Sequence, residues 1–151
     1  MRKLKILNKK QIRAILKIIK EQWGAGLEPE HAFLMSPKNK IYIVNKDISK
    51  IDFSKLNINN VGLYFGELTK NHEFRLSIEG SQIVGKSAKK NIVELNKNQA
   101  RKWFRGEDIE TEQQAMGFVI LKHDGDFLGC GRLIKGRILN YVAKARRVEI
   151  M

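Results

Sequence analysis

The sequence predicts an α+β fold: an α/β amino-terminal part followed by a small antiparallel β-barrel. Three observations lead there. Apolar residues recur at helical spacing close to the amino terminus, and strand-like runs follow them through the first half. From Gly117 onward, short apolar runs alternate with turn-forming pairs, as in a β-meander, and a single short helix precedes them. At 151 residues and 42% hydrophobic, the chain can bury one core or two small fused ones. We place the division at residues 1–88 and 89–151.

In the first part, Ile12, Ile15, Leu16, Ile19 and Trp23 form one helical face. Lys10, Arg13, Lys17 and Lys20 form the other, and Gly24 ends the pattern. Such a cationic face is usually the wet side of a packed helix. Pro29 and Pro37 punctuate the loop region that follows. Ala32 to Met35 and Lys40 to Asn45 read as strands joined by the turn Ser36-Pro37-Lys38-Asn39. A short helical turn is expected at Asp47 to Leu56, with Ile48, Ile51 and Phe53 facing inward. Val61 to Leu68 is again strand-like, and Phe74 to Ala88 loosens toward helical spacing.

The second part begins with the strand NIVEL, Asn91 to Leu95. Asn96 can cap a helix, with Gln99 reaching back three residues later. Ala100, Trp103 and Phe104 share its apolar side, Lys97, Arg101, Lys102 and Arg105 its other side, and Gly106 closes it. Then come GFVILKH, a hairpin turn at Asp124-Gly125, DFLGCGRLI, a second turn at Lys135-Gly136, RILNYV and RRVEI.

The formal net charge of +13 exceeds what solubility requires, and the cations are bunched, which points to a polyanionic partner. Phosphates recur along a strand, so affinity for one comes from several Lys and Arg side chains on a single surface. One cluster is the helix face just named. The other is Arg132, Lys135, Arg137, Lys144, Arg146 and Arg147 in the last strands. Tyr141, beside that basic tail, is a candidate for stacking on an unpaired base, whereas Trp103 and Phe104 read as core.

A single cysteine, Cys130, excludes an intramolecular disulfide and a cysteine-cluster metal site and suits a reducing cytoplasm. Set between Gly129 and Gly131 in a strand, it reads as a buried, inert thiol rather than a nucleophile. His31, His72 and His123 lack metal-ligand spacing, so no metal is expected. No phosphate-binding loop or dinucleotide fingerprint occurs, and GCGRLIKG lies in a strand and hairpin instead of opening a helix. The acidic run Glu107, Asp108, Glu110 and Glu112 reads as an exposed loop rather than an acid/base pair. The basic start never gathers enough apolar residues for a signal peptide or membrane span.

NIVEL, NQARKWFRGEDI and GFVILKHDGDFLGCGRL resemble a PUA domain, the RNA-binding module named after pseudouridine synthases and archaeosine transglycosylases. With GLYFGELTKNHEFRLSIEG and RILNYVAKARR, roughly residues 61–150 are similar to the tail module of RsmF-type and Nop/Sun-type RNA cytosine methyltransferases. KIYIVNKDISKI followed by GLYFGELTKNHEFRL is similar to the Nip-seven-type ribosome-biogenesis proteins, which join an α/β domain to a carboxy-terminal PUA domain. The resemblance implies a PUA-type barrel that binds RNA between its helix and a neighbouring strand. For this chain that means Lys97, Arg101, Lys102 and Arg105 together with Arg132, Lys135, Arg137, Lys144, Arg146 and Arg147.

The expectation is a non-catalytic, cytoplasmic RNA-binding protein without cofactor or membrane partner. It would serve ribosomal RNA first and transfer RNA second, in RNA modification or ribosome biogenesis. The competing class is an accessory subunit that docks an RNA methyltransferase or a pre-ribosomal factor. An RNA-modifying enzyme of unrecognised type is the third.

Overall fold

A computed structural model describes residues 4–27, 32–44, 62–113 and 117–141. The helical turn expected at 47–56, the strand expected at 146–150, and Pro29 and His31 lie outside the described residues.

Helix α1 (Lys9–Trp23) starts at a reciprocal cap. The Asn8 carboxamide oxygen accepts from the Gln11 N–H at 2.9 Å, and the Gln11 side-chain oxygen accepts from the Asn8 N–H at 3.0 Å. Gly24, at φ 66°, ends the helix and donates its N–H to the Lys20 carbonyl. Ile15, Ile19 and Trp23 are buried, while Lys10, Arg13, Lys17 and Lys20 face outward, as the spacing predicts, and Lys9 is exposed with them.

The first sheet is an antiparallel meander of β1 (Lys5–Ile6), β2 (Ala32–Met35), β3 (Lys40–Val44), β4 (Leu63–Leu68) and β5 (Phe74–Leu76), paired in chain order. The short β1 has no sequence signal of its own; it pairs through Lys5 opposite Met35 and Ile6 opposite Leu34. Ser36 shapes the β2–β3 turn by accepting from the Lys38 and Lys40 N–H groups. Helix α2 (Ile78–Gly85), capped by Ser77, packs on β4 and on the strand Asp126–Ile134 of the second sheet. A Cβ at Gly85 would stand 2.5 Å from the Phe127 ring, so the missing side chain sets this close approach.

The second sheet comprises β6 (Ile92–Glu94), β7 (Ile109–Glu110), β8 (Gly117–His123), β9 (Asp126–Ile134) and β10 (Arg137–Leu139), in the order β6-β8-β9-β10-β7. β6 runs parallel to β8, and the other pairs are antiparallel. Both hairpin turns place two positive φ values in succession, 47° and 90° at Asp124-Gly125 and 49° and 79° at Lys135-Gly136. That turn geometry follows the right-handed twist of the flanking strands.

The barrel expected from the sequence is not closed among the described residues. The sheet is open, with β6 and β7 as its edges, and those edges do not pair. The chain between them forms helix α3 (Lys97–Phe104), whose Ala100 and Trp103 bury against one face of the sheet. A helix laid there covers the face that closure would have enclosed.

The second sheet is coated on both faces because successive strand residues point to opposite sides. Phe118, Ile120 and Cys130 join the core that contains Trp23, Phe33, Phe65 and Phe74. Val119, Leu121 and Leu133 join the core around Trp103. The larger core therefore draws on residues from both sides of position 88.

Candidate nucleic-acid interface

Helix α3 is held at both ends. At its start, Asn96 and Gln99 exchange hydrogen bonds of 2.8 and 2.9 Å, the reciprocal cap expected from the sequence. At its end, the Asn140 side-chain amide donates to the Trp103 carbonyl, which also accepts the Gly106 N–H, and to the Glu107 carbonyl just beyond the helix, both at 2.8 Å. Asp108 accepts from the Asn140 backbone N–H at 2.9 Å. Trp103, wholly buried, donates its indole N–H to the Leu128 carbonyl at 3.2 Å. Gly131 makes room for that indole: a Cβ there would lie 3.1 Å from the ring and 2.5 Å from Ile138.

With Trp103 fixed inward, Lys97, Arg101, Lys102 and Arg105 are all exposed on the opposite side. Arg105 pairs with Glu107 at 3.0 Å, a contact largely in water. Among the described residues no carboxylate pairs with Lys97, Arg101 or Lys102.

The cations of the last strands divide. Lys135 and Arg137 border an open groove of about 1210 Å³ that Gln99 of α3 also lines, so helix and hairpin meet there. Glu110 and Glu112 line the same groove, and Glu110 stands opposite Arg137 in the β7–β10 register. The acidic run is thus not simply an exposed loop, because Ile109–Glu110 forms an edge strand. Arg132 is on the other face of the sheet, since its neighbour Leu133 packs with Trp103. Lys144, Arg146 and Arg147 lie outside the described residues. The described cations therefore form a helix surface continued by one hairpin, with Arg132 apart from both.

Arg132 belongs to a second cluster at the junction of the two halves. Its guanidinium lies 5.8 Å from the Phe118 ring centroid, Phe118 is 6.4 Å from Tyr141, and Tyr141 is 4.6 Å from the Arg75 guanidinium. These are stacking and cation–π separations. Sequence reasoning missed Arg75 because it lies in β5, far along the chain from the basic clusters. Its ion pair with Glu67, 2.7 Å across adjacent strands, also masks it as an ordinary cross-strand pair.

Arg75 and Tyr141, with Tyr64, Leu76, Ser77, Ile78, Glu79, Trp103, Gly129 and Cys130, enclose a cavity of about 140 Å³. Burial pushes the Tyr64 phenol above its ordinary value, and the Arg75 charge beside it pulls the other way. Burial pushes the Cys130 thiol up to about 12, which leaves it protonated and non-nucleophilic near neutrality. Among the described residues no three His, Cys, Asp or Glu gather to hold a metal, and no helix is long and apolar enough to cross a membrane.

Residues 1–78 match the family described as NIP7/UPF0113, pre-PUA domain, and residues 90–148 match the Methyltransferase RsmF PUA domain. The chain is similar to Ribosomal RNA small subunit methyltransferase F of Vibrio cholerae serotype O1 (strain M66-2), 26% identical over 117 residues, covering 76% of this chain and 24% of that protein. The protein of the same name from Aeromonas hydrophila is 36% identical over 87 residues, covering 57% of this chain and 18% of that one. The chain thus spans about a quarter or less of the length of these curated relatives.

Proposed function

The chain belongs to the NIP7/UPF0113 pre-PUA family, whose match takes in residues 1–78, and from that premise we propose that it is a non-catalytic RNA-binding protein. Its target is ribosomal RNA first and transfer RNA second, in RNA modification or ribosome biogenesis. The curated relatives are named for a ribosomal RNA methyltransferase, and the match at 90–148 is to the PUA portion of such an enzyme. A partner methyltransferase or biogenesis factor would supply any chemistry; the one cysteine is buried and its thiol is protonated at neutral pH.

The observation that carries this reading is the outer face of α3. Lys97, Arg101 and Lys102 are exposed and unpaired by any described carboxylate, on a helix fixed at both ends. Fixed, unpaired cations are what phosphate contact requires, because each contact releases condensed counterions instead of breaking an existing ion pair.

The test is affinity for a ribosomal RNA fragment measured across a salt series. A steep fall of affinity with salt supports the reading. A slope near zero assigns the basic surface to docking a protein instead. Incubating the protein with total RNA and the common methyl donor, then measuring modified nucleosides by mass, tests the non-catalytic assignment; new methylated nucleosides overturn it.

A further inference from the structure

The cavity at the junction of the halves lies away from the outer face of α3 and is too small for an ordinary small-molecule site, which occupies about 300–1,000 Å³. Its volume of about 140 Å³ resembles that of cavities, of about 150 Å³, that accept a single benzene ring. We propose that it holds one unstacked, single-ring nucleobase of a bound RNA strand. This rests on the RNA-binding reading above and adds to it a site that reads a base.

The chemistry of the walls selects a ring rather than a phosphate. Tyr64 and Tyr141 contribute aromatic surface, and the Arg75 guanidinium contributes a plane. Trp103, wholly buried, backs the cavity beside Gly129, where a Cβ would sit 3.3 Å from the indole nitrogen. Bases drawn out of a strand stack on such rings and planes. A phosphate would meet Arg75 already matched by Glu67 at 2.7 Å, with Glu79 as a further negative charge in the wall. A neutral heterocycle carries no such penalty, and its polar edge faces the Arg75 guanidinium in the cavity wall.

Tyr141, in the cavity wall, is 40% exposed. Beyond it, through Phe118, stands Arg132, which no described carboxylate pairs with. A strand whose base enters the cavity passes that guanidinium with its flanking phosphate.

The test compares two RNAs of equal phosphate number, an unpaired oligouridylate and a duplex, bound to the intact protein. Tyr141→Ala should weaken oligouridylate binding by about ten-fold, the loss of one base stack, and leave duplex binding unchanged. Arg101→Gln with Lys102→Gln should weaken both. If Tyr141→Ala changes neither affinity, or lowers both equally, the base site is wrong while the α3 surface stands. If the wild-type protein binds neither RNA, the RNA-binding reading fails, and titration with free uridine and cytidine decides the cavity alone. A saturable shift of the Trp103 indole N–H resonance, lost in Tyr141→Ala, then supports the cavity as a nucleobase site, and no shift overturns it. Circular dichroism melting of Tyr141→Ala confirms that the fold persists.

Discussion

The Arg75 guanidinium sits 4.6 Å from the Tyr141 ring centroid while its other side grips Glu67 at 2.7 Å. A strand of the first sheet thereby reaches Tyr141, two residues past the end of β10 in the second. The contact is partly solvated, so its energy is modest, but it fixes the ring that forms one wall of the junction cavity.

Coupling between these two residues should be measurable. A double-mutant cycle with Arg75→Ala and Tyr141→Ala is expected to give an interaction energy of about 0.5–1 kcal/mol by urea denaturation. Independent, additive effects would show that the stacking contributes nothing to stability.

On the α3 surface, Arg101→Gln with Lys102→Gln should lower the salt slope for single-stranded RNA by about 0.7 per contact removed. Both side chains are exposed, so the melting temperature should fall by a few degrees at most. A salt titration paired with a thermal melt reads both quantities.

Asn140→Ala removes the donor to the Trp103 and Glu107 carbonyls. The expected loss is about 1–2 kcal/mol, because two side-chain hydrogen bonds that tie the end of α3 to the segment after β10 are lost, although the Trp103 carbonyl keeps the Gly106 N–H. Gly131→Ala should cost a similar amount, since its Cβ would press on Ile138 at 2.5 Å and on the Leu139 carbonyl at 2.8 Å. Chemical denaturation of each variant against wild type checks both values.

Cys130 sets a signed pH dependence. Its thiol is raised from an ordinary 9.0 to about 12 in the fold, so the folded state holds its proton longer than the unfolded chain does. The associated stability is fully present below about pH 9 and is lost progressively as pH rises toward about 12. Subtracting the stability curve of Cys130→Ala from that of wild type isolates this window from the lysines and tyrosines that titrate nearby. At pH 7 the native thiol should resist a thiol-specific disulfide reagent and react stoichiometrically after denaturation.

Local signals were legible in the sequence where one stretch of chain settles the outcome. The Asn96–Gln99 cap, the ends of β8 and β9, and the two turns at 124–125 and 135–136 follow from neighbouring residues and match the structure, whereas the Asn8–Gln11 cap was not read. Signals that depend on distant pairing were not. The two-residue strands β1 and β7 carry no periodicity and exist only because Met35 and Ile138 offer them partners. The open sheet replaced the expected closure because the strand pattern does not reveal that Trp103 will cover one face. Within the candidate site, the exposed cations of α3 were readable as a helical stripe. That Arg132 turns away from them follows from strand alternation only once Leu133 is known to pack under the helix. Arg75 was invisible, because nothing local to β5 announces Tyr141.

The Asn96–Gln99 cap and the Asn140 clamp have a consequence for association. With both termini of α3 pinned by the protein itself, the spacing of its positive groups is already set before any polyanion arrives. Capture then forfeits side-chain rotamer freedom but little backbone freedom, so more of the gross attraction survives as net affinity than on a lysine-rich loop of equal charge.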